Sequence, residues 1–130
     1  MSTVFTKIVK GEIPSYKIYE DNQFYAFLDI NPLAKGHTLV IPKMEVDYLF
    51  DLEDELLSEM IVVAKKIAKA IEKSITCNRV GLMVIGLEVP HAHIHLIPIL
   101  QEGDMNLSNE RIDLSNKQFE DIAKKISSFL

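Results

Sequence analysis

The chain has a single cysteine, Cys77, among its 130 residues. No internal disulfide can form, and nothing points to an oxidising compartment. No apolar run approaches the roughly 20 residues that span a bilayer. The amino terminus, Met1-Ser2-Thr3-Val4-Phe5-Thr6-Lys7, lacks the apolar stretch of a secretory leader. A cytoplasmic protein with no membrane contact is expected. Basic residues are also scarce: 14 Lys and Arg stand against 19 Asp and Glu, for a net charge of −5, and they form no stripe. That balance argues against polymeric nucleic acid, whose binding rests on neutralising phosphates. A small phosphate-bearing ligand is compatible with it, because a few local donors can hold one. Internal repeats and low-complexity segments are lacking as well. What remains is ordinary for a globular protein, with 48% hydrophobic and 25% charged residues. The length suits one domain, residues 1–130.

Hydrophobic periodicity divides the chain into elements. Phe5-Thr6-Lys7-Ile8-Val9-Lys10 reads as a short amphipathic turn, too brief to be stable alone and closed by Gly11 and Pro14. Residues 16–20 and 24–28 alternate around Asp21-Asn22, the pattern of a hairpin. Asp29-Ile30-Asn31-Pro32 breaks the second strand, and Gly36 precedes a third, His37 to Ile41. The period then changes: Leu56, Leu57, Met60, Val63, Ala64, Ile67, Ala68 and Ile71 repeat at threes and fours. They predict a long amphipathic helix from Glu53 to Ser74, with acids early and lysines late as its dipole favours. Strands follow at Arg79 to Ile85 and His91 to Ile99, then a polar loop from Gln101 to Asp113. Ser115 with Gln118 three later forms a capping-box pattern opening a final helix. Hairpins with segregated helices predict an α+β fold with a five-stranded antiparallel sheet, one long helix and a C-terminal helix. An open sheet edge makes a homodimer the expected assembly.

The chemically unusual stretch is His91-Ala92-His93-Ile94-His95-Leu96-Ile97-Pro98, with His37 the only other histidine. Imidazoles at every second position leave one face of a strand, while Ala92, Ile94 and Leu96 pack behind. Three uses suit such a row. Metal binding is one, although positions 91 and 95 lie roughly 13 Å apart on a strand. One zinc could take two of the row plus His37, with Asp29 or Glu88 completing the set. Plain packing is another, but three titratable rings side by side cost stability without structural return. Nucleophilic catalysis is the third. Neutral imidazole attacks phosphorus at neutral pH if an acceptor fixes its tautomer, and neighbouring rings can donate to phosphate oxygens and the leaving group. His93, flanked on both sides, is the best-placed nucleophile.

The row resembles the His-φ-His-φ-His-φ-φ signature (φ apolar) of the histidine triad superfamily of nucleotide-binding hydrolases and transferases. Phe5 to Pro14 is similar to that family's opening, and Phe27 to Pro32 with Gly36 to Lys43 to its centre. The resemblance spans residues 3–99 and is strongest to the small dimeric branch that hydrolyses purine nucleoside phosphoramidates and related adenosine phosphates. Residues 1–100 then form the shared core, and 101–130 a loop with the C-terminal helix. The resemblance implies His93 as nucleophile toward the α-phosphorus, giving a nucleotidyl-histidine, and His95 at the phosphate and leaving group. His91 and His37 would support them. Asp29 would receive the ribose hydroxyls, and Phe5, Ile8, Phe27 and Ile30 would enclose the base. From the residues alone, those four apolar side chains read simply as core, and Asp29 as a turn former.

Two departures from the family pattern stand out. Many relatives hold a structural zinc with an opening Cys-x-x-Cys and a further His after the Ile-Pro-Lys. Here those places read Thr3, Thr6 and Glu45, so no such metal, and no cofactor, is expected. The loop before the row is short, Gly86-Leu87-Glu88-Val89, and Glu88 stands where a hydroxyl near phosphate is usual. Glu88 and Val89 thus border the expected phosphate position and leave the leaving group open. Two other functions stay in view: a nucleotide-binding module without turnover, and a metal-dependent hydrolase using the same histidines.

Overall fold

The computed structural model describes residues 2–130. A five-stranded antiparallel sheet runs β1-β2-β3-β5-β4, with β1 at Lys17–Glu20, β2 at Phe24–Leu28, β3 at Thr38–Pro42, β4 at Arg79–Met83 and β5 at Ile94–Ile99. Three α-helices surround it: α1 (Val4–Val9), α2 (Asp54–Ser74) and α3 (Asn116–Ser127). The α+β expectation is met. Among the described residues, no helix is long and apolar enough to cross a membrane.

Strand periodicity sorts side chains into two apolar layers. Phe24, Ala26, Leu28, Val40, Ile94 and Leu96 face α2 and α3, meeting Met60, Ala64, Ile67, Ile71, Phe119 and Ile126. The alternate residues Tyr25, Phe27, Leu39 and Ile41 turn to the other face, where Phe5 and Ile8 cover them. Helix α3 stacks Phe119 on Tyr16 at 4.7 Å, with Tyr16 Oη donating to Asn116 at 2.6 Å, so it packs on its own sheet. Its capping box forms as the sequence predicts. Strand β4 is an outer edge with exposed Leu82, and exposed Ile85 and Leu87 follow it.

Three expectations need correction. Residues 4–9 form a helix rather than a turn: Thr3 caps it by accepting the Thr6 N–H at 3.1 Å, and burial of Phe5 and Ile8 supplies what so short a helix lacks alone. Strand β4 ends at Met83, two residues early. Strand β5 begins at Ile94, so His91 and His93 precede it. The β3 ladder pairs Val40 with Ile94 and goes no further, since Pro42 has no N–H to donate. Ala92 N–H instead donates to the Val46 carbonyl at 2.7 Å.

Candidate functional site

Gly36 turns the chain into β3 with φ +88°, and a Cβ there would lie 3.0 Å from Ile75 Cγ1, so only glycine delivers His37 to its place. Antiparallel pairing sets Leu39 opposite His95 and brings His37 against it. The four histidines and Asp29 gather on the face that carries α1, with Phe5 edge-on to His93 at 5.0 Å and to His91 at 5.8 Å. His93 and His95 ring centres are 5.0 Å apart.

Hydrogen bonds assign every ring a tautomer. The Leu33 N–H donates to His37 Nδ1 at 3.0 Å, so the proton of neutral His37 sits on Nε2. That Nε2–H donates to His95 Nδ1 at 3.0 Å, which places the His95 proton on Nε2. His91 Nε2–H donates to the Pro42 carbonyl at 2.8 Å, and its Nδ1 accepts from Thr3 Oγ1 at 2.9 Å. His93 Nδ1–H donates to the His91 carbonyl at 2.7 Å. The result is one ring, His93, with a free lone pair on Nε2, beside another, His95, with a free N–H on Nε2. One can attack; the other can donate.

Burial keeps the supporting rings neutral. His37 is pushed down to about 3 and His95 to about 4, in both cases first by burial; the neighbouring rings and Arg111 add to it. Burial also lowers His91. Asp29 is raised by burial, against the opposing help of the Asn31 N–H, Arg111 and His93. A pH dependence follows from the two strongest shifts. Below about pH 6.5 the unfolded chain takes up protons on these rings that the folded chain refuses, so folding weakens as pH falls toward 4 and 3. The two rings together will cost on the order of a few kcal/mol over that window, and nothing above it. Urea midpoints across the range check this; a midpoint unmoved by acid would refute it.

Asp29 Oδ1 accepts the Asn31 N–H at 2.8 Å and Oδ2 lies 3.6 Å from His37 Nε2. Asp29, His37 and His95 have ligand atoms close enough to surround a cation. The tautomers oppose it: His37 Nε2 carries a proton, because Nδ1 is committed to accepting a backbone N–H, and offers no lone pair. Thr3, Thr6 and Glu45 also meet. Glu45 Oε1 accepts from Thr3 N and Thr6 Oγ1, each at 2.7 Å, and Thr3 passes the link on to His91. Hydroxyls and a carboxylate thus join α1 to the histidine row.

The other candidates divide. Phe5, Ile8 and Phe27 pack together with half-buried Val89 against them. Ile30 stands apart, 73% exposed, and Glu88 is exposed on the loop. Two surface clefts, one between Asp21-Phe24 and Ser58-Val63 and one along β1, include none of these residues. Two further residues join the site through tertiary contacts, Thr3 as a partner of His91 and Arg111 as a partner of Asn31. Arg111 donates from Nη1 to the Asn31 carbonyl at 2.8 Å and from Nη2 to the Leu107 carbonyl at 3.0 Å, which ties the 101–113 stretch to the loop holding Asp29. Its signal in the sequence is slight: it is one of two arginines in a chain that otherwise uses lysine.

The chain is similar to several known proteins. A family model described as HIT domain matches residues 10–102. The adenosine 5'-monophosphoramidase of Saccharomyces cerevisiae is 46% identical over 97 residues, covering 73% of this chain and 61% of the yeast protein. That of Schizosaccharomyces pombe is 35% identical over 130 residues, covering 98% of each. Among solved structures, a Hit-like protein from Bartonella henselae superposes with a TM-score of 0.87 at 36% identity, covering 99% of this chain and 96% of that one.

Proposed function

Because the chain belongs to the HIT domain family, we propose that it is a nucleotide hydrolase acting at the α-phosphorus of adenosine phosphoramidates or related purine nucleotides, with His93 as covalent catalyst. The observation that carries this reading is the tautomer pair: Nδ1–H of His93 is held by the His91 carbonyl at 2.7 Å, so Nε2 keeps its lone pair. In the first step Nε2 bonds to phosphorus and the phosphorus–nitrogen bond breaks, the leaving amine taking up one proton from solvent while His95 Nε2–H hydrogen-bonds to phosphate oxygens and the departing group. In the second step water attacks phosphorus and gives one proton back to solvent, the bond to His93 breaks, and the nucleoside monophosphate leaves with His93 restored. Asp29 would accept from the ribose hydroxyls, and the base would lie between exposed Ile30 and the edge of the Phe5, Ile8 and Phe27 cluster. His37 and His95, held neutral by burial, support a nucleophilic use of this row.

Rapid quench of the protein with adenosine phosphoramidate, followed by intact mass spectrometry without acid, tests the proposal. A transient adduct of one nucleotidyl group on the peptide containing His93 is the expected result. Hydrolysis without any adduct would point to direct attack by water. Nucleotide bound with neither adduct nor turnover would leave a binding module.

A further inference from the structure

A purine nucleotide brings an anionic phosphate to this site, yet the residues assigned to it above include no lysine or arginine. The supporting imidazoles are neutral, and the carboxylate of Asp29 beside His37 would repel an anion. Hydrogen bonds alone leave that charge uncompensated, and charge-assisted bonds are the stronger ones. The nucleotide reading therefore needs a cation that it has not yet been given.

We propose that Arg111 is that group: a substrate-binding residue that sets a fixed guanidinium beside Asp29 and the His37–His95 pair and receives the anionic phosphate chain of the nucleotide. The proposal rests on the nucleotide reading and adds to it. Arg111 is half-buried and is held at two points, by the carbonyls of Asn31 at 2.8 Å and Leu107 at 3.0 Å. A third link fixes the backbone beside it, Ile112 N–H donating to the Pro32 carbonyl at 3.0 Å. An arginine has five N–H donors, and two carbonyls engage only two of them. The guanidinium is thus positioned by the protein while keeping donors to spare, which a surface arginine on a flexible stem does not. The carbonyl it holds belongs to Asn31, whose N–H donates to Asp29 Oδ1 at 2.8 Å, so the guanidinium sits against the loop that carries Asp29; its charge acts to lower the pKa of Asp29, His37 and His95 as well. Arg111 lies in the stretch that follows the 10–102 segment matched by the family model.

The test compares AMP with adenosine, which differ by the phosphate, by calorimetry on the wild type, Arg111→Gln and Arg111→Lys. Arg111→Gln should weaken AMP about tenfold or more, the loss of one charge-assisted contact, and leave adenosine unchanged; Arg111→Lys should recover part of the loss. Parallel losses for both ligands would mean that Arg111 only braces the Asp29 loop, and no loss for either would mean that it faces solvent; both outcomes overturn the proposal. If Arg111→Gln does not fold, Arg111→Lys alone must still lower AMP relative to adenosine, because a point charge cannot reproduce the planar fork. A wild type that binds neither ligand would sink the nucleotide reading itself, which a phosphate-selective failure would not.

Discussion

His93→Ala will lower hydrolysis of adenosine phosphoramidate by about a thousandfold or more, while AMP binds within about threefold of wild type. The reason is local. The ring contributes one lone pair, on Nε2, and its other nitrogen is spent on the His91 carbonyl. Truncation removes the attacking atom and leaves Asp29, His95 and the apolar wall in place. Its 7% exposure means a small cavity opens against Phe5, so some loss of stability accompanies the change. A thermal melt separates that from catalysis, as does His93→Gly with added imidazole, which should return part of the rate by supplying the nucleophile from solution. Turnover within about tenfold of wild type would refute His93 as nucleophile.

His37→Phe will have the second largest effect, a fall in kcat of roughly a hundredfold with KM little changed. His37 lies too deep to meet substrate, at 0% exposure, and acts through His95. Its Nε2–H is what confines the His95 proton to the outward nitrogen. Without it, His95 is free to carry the proton on Nδ1 and meet the leaving group with a lone pair instead of a donor. The Leu33 N–H also loses its acceptor, at a cost of about 1–3 kcal/mol in stability. His37→Gln distinguishes the two effects, because its amide can donate from nearly the same position as Nε2. Activity recovered in Gln but not in Phe supports a positioning role. Equal kcat in Phe and Gln, after allowance for stability, would show that His37 only fills space.

The two experiments probe one device from opposite ends. A backbone carbonyl orients His93, and a backbone N–H, through His37, orients His95. Burial holds His37 and His95 neutral down to low pH.

Amino-acid order alone determined which residues could share a face. The period of two in residues 92–97 put His93 and His95 on one side and Ile94 and Leu96 on the other, and the period of 3.6 in 56–71 built α2; both follow from backbone geometry that no tertiary contact alters. The capping box of α3 was equally legible, being a bond between residues three apart. Tertiary structure decided everything that depends on partners far along the chain. Helix α1 forms because the sheet buries Phe5 and Ile8, β5 starts late because Pro42 on a neighbouring strand cannot donate, and the tautomers follow from Leu33, Pro42 and Thr3. Arg111 reached the site only through a contact 80 residues away in sequence. Side-chain periodicity is written locally, whereas proton placement and charge depend on which groups folding brings within hydrogen-bond reach.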